Sequence, residues 1–429
     1  MCLTIPAKVV SIKKSPRQSL VEHLEVEDSK GTREIKSIID EELKIGDWVL
    51  YTLDMAVRKV SEEDAREILE LLEPKSHIDF SVLDSGYLGI LKKASTGDMK
   101  RREIIRLLES DGMETEALLA EANTIRQANL KDFFCIHGII EFSNNCINDC
   151  HYCGLRRSST SVKRYAMTPD EIIETAVDSV EKRGYKLIVL QSGDDYSYTK
   201  ETLSRIISEI KRRCRVFIFM SVGDRSYDCY RLMREAGANG ALLRFETSNA
   251  GVYEKLHPGK TLEERMEILK GLKDLGYYIA SGFLIGLPGQ ESGDIADDMI
   301  ALKNLGAQMV TVGPFIPCDG TPLSSHPSGD AAMTLKVTAI ARLLMPKAKI
   351  PVTTALETIE SEEGRRLGLS SGANSLMFNL TPQKYRDDYR IYPGKYHGRE
   401  EVWERYGLFK EELSYKMLET KMLQAFEET

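Results

Sequence analysis

Three cysteines fall within eight residues in the stretch SNNCINDCHYCGLRR at 143–157: Cys146, Cys150 and Cys153. Thiolates so closely spaced can hold metal, and three accounts compete for them. A structural zinc takes four ligands, and His151 is the one further donor in the run. It lies between two of the cysteines and would have to fold back to reach the same ion. Packing alone is a weak account, because three thiols in so polar a stretch have no apolar face to fill. An iron–sulfur cube held by three cysteines leaves one iron open, which suits a cluster that meets its substrate directly. The spacing and the position of the run together favour the cluster over zinc or packing.

The elements around the run explain its position. It follows directly on an apolar stretch, GIIEFSN at 138–144. Seven similar stretches follow: KLIVLQSG, RVFIFMSVG, GALLRFETS, YIASGFLIGL, MVTVGPFI, KIPVTTAL and SLMFNLTP. Helical patterns separate most of them. Thr168-Pro-Asp-Glu171 and Thr261-Leu-Glu-Glu264 are capping boxes, with Gly184 and Gly276 as stops. Near-continuous apolar strands alternating with helices imply a parallel sheet covered by helices, and eight such units fit a closed (β/α)8 TIM barrel. An open doubly wound sheet is the alternative. In a barrel, the loop after the first strand lies at the C-terminal mouth, where active sites are built.

The rest of the chain divides by texture. Residues 1–75 read as short strands (AKVVSI, VEHLEVED, REIKSII, DWVLYTL) followed by a helix that starts on Ser61, the pattern of a small β-barrel. Residues 76–131 read as a helical connecting segment, 132–395 as the α/β barrel, and 396–429 as a charged helical tail. A hydrophobic share of 42%, a charged share of 29% and a net charge of −8 disfavour nucleic acid and membrane partners. The start MCLTIPAKVV is not a signal peptide, so a cytoplasmic, reducing location is expected, where clustered thiols bind metal. Cys135, Cys214 and Cys229 read as packing residues.

Cys-x3-Cys-x-Φ-Cys, with the aromatic Tyr152 at Φ, resembles the signature of the radical S-adenosylmethionine (SAM) enzymes. The resemblance implies a 4Fe–4S cluster on Cys146, Cys150 and Cys153, SAM bound at its open iron, and a 5′-deoxyadenosyl radical formed by one-electron cleavage. Other positions fit that family's SAM site. Gly193-Asp194-Asp195 resembles the glycine–acid motif, Glu246 and Arg265 match residues holding SAM's polar groups, and Gly282 and Gly286 match the strand approaching adenine. Residues 98–395 are most similar to the HydE hydrogenase maturases, in GIIEFSNNC, CGLRR, VLQSGDD, LRFET, FLIGLPGQ, VGPFIP, PVTTALETI and YRDDYRIYPGK. Biotin synthase and the methylornithine synthase PylB are related groups.

No cysteine follows YPGK, so one cluster is implied. Gln191, Ser221 and Glu246 stand where biotin synthase has ligands for a second cluster, which argues against sulfur insertion. Candidate substrate residues are Cys318, Arg157 with Arg156 and Arg164, and the group Tyr385, Arg386, Tyr389 and Tyr392.

The opening MCLTIPAKV, with IGDWVLYTLDMAV and EDAREILELL, resembles HypC, a chaperone that carries an iron–dicyano–carbonyl unit. That resemblance implies Cys2 as an iron ligand, although Thr52 stands where these chaperones have histidine and Asp54 is a harder donor. Together the resemblances imply a radical enzyme acting on an iron–carbonyl–cyanide–cysteine precursor in hydrogenase metallocofactor maturation. Its expected partners are a flavodoxin or ferredoxin as electron donor, and hydrogenase maturation proteins or an apoprotein. A PylB-like mutase acting on a small amino acid and a non-catalytic HypC-derived scaffold are the alternatives.

Overall fold

Alternating apolar residues build the first unit. The computed structural model describes residues 5–13, 22–28, 31–37, 39, 41–52, 55–72, 83–94, 97–130, 135–360 and 363–395. Cys2, Asp54 and the expected tail helix lie outside them. Five strands, β1 (Ile5–Lys13), β2 (Glu22–Asp28), β3 (Gly31–Ser37), β4 (Trp48–Thr52) and β5 (Met55–Val60), close into a barrel of order β1-β2-β3-β5-β4. All its ladders are antiparallel except a short parallel contact of β3 with β5. Residues two apart share a face, so Ala7 and Val9, Leu24 and Val26, and Val49 and Tyr51 meet in one core. The strand Met55–Val60 is additional to the four stretches expected from sequence. A helix, Glu62–Leu72, follows, its first turn capped by Ser61 Oγ, which accepts from the Asp64 N–H at 3.0 Å.

The second unit joins the helices Ser85–Ala94, Arg101–Leu108 and Gly112–Leu130 to a ring of parallel strands. The helix Gly112–Leu130 packs on the helix Ala331–Leu344. The strands are β6 (Cys135–Ser143), β7 (Leu187–Ser192), β8 (Phe217–Ser221), β9 (Gly240–Leu242), β10 (Tyr278–Ser281), β11 (Leu284–Ile285), β12 (Met309–Val310), β13 (Gly313–Pro314) and β14 (Ser375–Asn379). Seven of them form one parallel sheet in the order β12-β10-β9-β8-β7-β6-β14, while β11 and β13 pair with each other beyond it.

Residues 349–352 close the ring between β12 and β14. Lys349 bridges Met309 and Pro351 bridges Ser375. Val310 N–H donates to the Lys349 carbonyl at 2.8 Å, and Val352 N–H to the Ser375 carbonyl at 2.9 Å. This eighth member is a pair of bridges and not a regular strand. Pro351 has no N–H to donate, so a full ladder cannot form there. Both expected capping boxes are present, at Thr168/Glu171 and Thr261/Glu264, opening the helices Pro169–Glu181 and Leu262–Asp274. Among the described residues no helix is long and apolar enough to cross a membrane.

Candidate functional site

At the C-terminal end of β6 the chain enters an irregular loop that is tied down by one arginine. Arg164 donates to the carbonyls of Asn144 (2.5 Å), Leu155 (2.9 Å) and Arg156 (2.6 Å). Arg156 in turn pairs with Asp149 at 2.8 Å. The loop is also pinned to the strap, the segment 385–395, at Asp388 and Ile391. Asn144 Nδ2 donates to the Asp388 carbonyl at 2.7 Å, and Gly154 N–H to the Ile391 carbonyl at 2.9 Å. Gly193, just past β7, lets the loop approach. A Cβ there would lie 2.2 Å from the Asn145 carbonyl oxygen and 2.9 Å from Cys146 Cβ. The result is a cavity of about 350 Å³ in the mouth of the ring, lined by Cys146, Cys150, Cys153, Tyr152, Gly193 and Asp194 on one side. Glu246, Arg265 and Tyr389 line it as well.

The electrostatics suit a positively charged guest. Burial pushes all three thiols up, Cys153 to about 12; the charge of Asp194 raises Cys146 further, and neighbouring cysteines raise Cys150 and Cys153. Thiols in this state become thiolates only when bound iron supplies compensating charge, so the donor set fits an iron–sulfur cluster. Asp194 accepts from Asn148 Nδ2 at 2.6 Å and from the Asp224 N–H at 3.2 Å. Burial, then the charge of Asp224, push its carboxyl up. Gly223, at φ +74°, makes room for it, since a Cβ would lie 1.2 Å from Asp194 Oδ1.

Glu246 is the single non-glycine residue at positive φ among the described residues, at +64°. Such strain persists only where the surroundings impose it, and it clusters at functional sites. Its carboxylate pairs with Arg244 at 3.1 Å, and burial pushes it up against the pull of Arg244 and Arg265. Arg265 pairs instead with Asp224, Nε to Oδ1 at 3.0 Å, and donates to the Arg244 carbonyl at 2.6 Å. Glu246 Oε2, Arg265 Nε and Asp224 Oδ1 are buried in these ion pairs without a hydrogen bond, and Arg244 Nε is buried without one too. Buried polar groups in this condition favour a polar ligand, and SAM's amino, carboxylate and hydroxyl groups are of the right kind.

Several sequence candidates lie elsewhere. Tyr385 stacks on Tyr165 at 4.8 Å and donates to Glu171 at 2.9 Å, away from the cavity. Arg386 donates to the Thr381 carbonyl at 3.2 Å and Arg157 is exposed. Arg156 and Arg164 are spent on the loop itself. Gly286 lines a separate depression, where its N–H donates to Gln290 Oε1 at 2.8 Å. Cys318 is buried behind Gly154, where a Cβ would lie 2.8 Å from its Sγ. Tyr392 does line the cavity and bonds Thr354 at 2.8 Å.

The structure also adds residues that local spacing does not reveal. His257, 105 positions after Tyr152, meets its hydroxyl through Nε2 at 2.9 Å. Its Nδ1 faces the Tyr253 carbonyl at 2.8 Å, which assigns the proton to Nδ1 and makes Nε2 the acceptor. Burial pushes this imidazole down to about 4, so it is neutral. Glu141 and Lys395 also face the cavity, 254 positions apart.

Comparison with known proteins agrees with this geometry. The Radical SAM superfamily model matches residues 140–302, the HupF/HypC family 1–72, and the Biotin and Thiamin Synthesis associated domain 312–404. The [FeFe] hydrogenase maturase subunit HydE of Thermotoga maritima is 43% identical over 303 residues, covering 69% of this chain and 86% of that protein. A 3-methylornithine synthase of Methanosarcina barkeri is 28% identical, over 66% of this chain and 80% of that protein. Among solved structures, methylornithine synthase (PylB) shares the fold at a TM-score of 0.66 and 24% identity, covering 74% of this chain and 95% of that one. HydG from Carboxydothermus hydrogenoformans does so at 0.65 and 20%, covering 75% and 77%. With that extent of identity to HydE, the chain belongs to the radical SAM superfamily as a HydE-type enzyme with a HypC-like domain at its N-terminal end.

Proposed function

We propose that this enzyme cleaves SAM reductively in the mouth of the parallel ring and directs the radical at a small iron–carbonyl–cyanide–cysteine precursor, in the maturation of a hydrogenase metallocofactor. The observation that carries the reading is the convergence of Cys146, Cys150 and Cys153 with Asp194, Glu246 and Arg265 on one cavity. When bound, one 4Fe–4S cluster with SAM supplies one-electron scission of a sulfonium carbon–sulfur bond and so a 5′-deoxyadenosyl radical.

The residues of the chain divide the remaining work. The three thiolates hold the cluster. The Gly193 backbone, Asp194 and the Arg244–Glu246 pair receive the polar end of SAM. Asp224 fixes the Arg265 guanidinium, and His257 fixes the Tyr152 ring beside the cysteines. Tyr389, Ile391 and Tyr392 of the strap roof the cavity and exclude water from a reactive radical. A flavodoxin or ferredoxin supplies the electron, and the HypC-like domain docks hydrogenase maturation proteins or an apoprotein, with Cys2 as its candidate iron ligand. The 3-methylornithine synthase relative supports a second reading, a rearrangement of a free amino acid. Product analysis with lysine against an iron–cysteine complex separates the two.

The test is anaerobic reconstitution with iron and sulfide, reduction, addition of SAM, and quantitation of 5′-deoxyadenosine. The intact protein is expected to form it and to hold about four irons per chain, and Cys150→Ala to lose both. Zinc in anaerobically purified protein, with no cluster on reconstitution, would refute the reading.

A further inference from the structure

Two charged side chains in the mouth lie outside the set assigned above to SAM. Glu141, on β6, and Lys395, at the end of the strap, form an ion pair inside the cavity, with side chains 2% and 8% exposed. Asn379 on β14 donates to Glu141 Oε2 at 2.9 Å, and the Lys395 ammonium lies 4.8 Å from the centre of the Tyr389 ring. The ring order sets this pair apart from the SAM-side charges. From β14 the path through β6, β7 and β8 reaches β9 in four steps. The path through residues 349–351, β12 and β10 takes four as well. Glu246 follows β9, which lies four members from β14 either way and three from β6 by the shorter path, so the Glu141–Lys395 pair stands on a different part of the wall from the Arg244–Glu246 pair.

A buried ion pair is a poor stabiliser, because desolvating both charges offsets most of their attraction, and apolar residues of similar size often do better. Apolar neighbours such as Ile139 and Met377 line the same wall, so nothing in the local packing requires charge there. The pair does suit one class of guest. A zwitterion entering between the two side chains gives its carboxylate to Lys395 and its ammonium to Glu141. Two ion pairs then replace one and the net charge of the cavity is unchanged. A guest carrying a single charge leaves one buried side chain uncompensated.

We propose that Glu141 and Lys395 recognise the α-ammonium and α-carboxylate of an amino-acid moiety in the second substrate. This holds the substrate on the β6–β14 side with its side chain pointing across the mouth towards SAM. The inference rests on the reading of the mouth as the SAM-cleaving site.

Calorimetric titration of the reconstituted full chain tests it, with S-methyl-L-cysteine as probe because a thioether offers no thiolate to iron. The comparison ligands are 2-(methylthio)ethylamine, which lacks the carboxylate, and 3-(methylthio)propanoate, which lacks the amine. The zwitterion is expected to bind at least about 10-fold more tightly than either. In Glu141→Gln/Lys395→Met, which leaves no unpaired charge, that preference disappears, and melting temperature and iron content report on the fold. Lys395→Met alone removes only the preference for the carboxylate, and Lys395→Arg keeps it. Equal binding of the three ligands by the wild type, no binding of any, or a preference for S-methyl-L-cysteine over 2-(methylthio)ethylamine surviving in Lys395→Met overturns the assignment. Absence of 5′-deoxyadenosine from the wild type would instead overturn the SAM reading beneath it.

Discussion

In the five-stranded barrel the inward positions carry Ala7, Val9, Leu24, Val26, Val49 and Tyr51, each 1% exposed or less. In the parallel ring, the inward positions where β6, β7, β8 and β14 end carry Glu141, Gln191, Ser221 and Asn379, around open space. The first interior is filled with apolar groups and its worth is stability. The second leaves its upper layer unfilled and places charges there, and its worth is a site. Apolar filling is forgiving of exchange among hydrophobic residues, whereas a charged wall depends on where each group stands.

The largest effect expected is on the filled barrel. Leu24→Ala removes buried methyl groups from a small core, and about 2–5 kcal/mol of that barrel's stability should go with them. Calorimetry of the full chain should show the small barrel melting earlier, while 5′-deoxyadenosine formation continues at the wild-type rate. A fall in that rate would mean that the two interiors are coupled, and the contrast between them would lose its force.

Next in size is Gly223→Ala, in the unfilled barrel. The left-handed backbone there costs a side chain about 1–3 kcal/mol, and the new Cβ would lie 1.2 Å from Asp194 Oδ1. Asp194 must move, carrying with it the turn that Gly193 and Cys146 share. Displacements near 1 Å at a reacting centre cost about 100-fold in rate. SAM cleavage should therefore fall far more than the modest loss of melting temperature implies. Parallel losses of both would reduce Asp194 to a packing residue.

These two interiors differ in legibility as well. The cysteine run, the capping boxes at Thr168 and Thr261 and the apolar stretches are local patterns; both boxes and all the stretches but KIPV form the expected elements, and the run follows β6. What escaped is set by contacts distant in sequence or by a single backbone angle. Nothing near Tyr152 announces His257, and nothing near Glu141 announces Lys395. Arg265 pairs with Asp224, from the loop after β8, and Glu246 with Arg244, and the first of these pairings is not announced by local spacing. The tyrosines of the strap look alike as a string, yet Tyr385 faces Glu171 while Tyr389 and Tyr392 face the cavity. KIPV reads as a strand, but its proline restricts it to bridges.

The smallest effect expected sharpens the comparison at the opposite end of the ring. His137 is fully buried on β6, 3.0 Å from Cys135 Sγ, and burial pushes its imidazole down to about 3. The unfolded chain takes up that proton near pH 6.5. Between these values the unfolded state binds one proton more than the folded state. Stability from the neutral imidazole is therefore complete above pH 6.5 and lost as pH falls towards 3, by about 1.4 kcal/mol per pH unit. Lys349, which burial pushes down to about 8, titrates above this window and does not blur it. Melting curves at pH 6 and pH 5 should show the larger unit losing more stability than the smaller, and His137→Leu should reduce that loss by one proton's worth. An unchanged slope in His137→Leu would mean that the imidazole is already charged in the fold, and that the lower layers of the ring are as polar as its mouth.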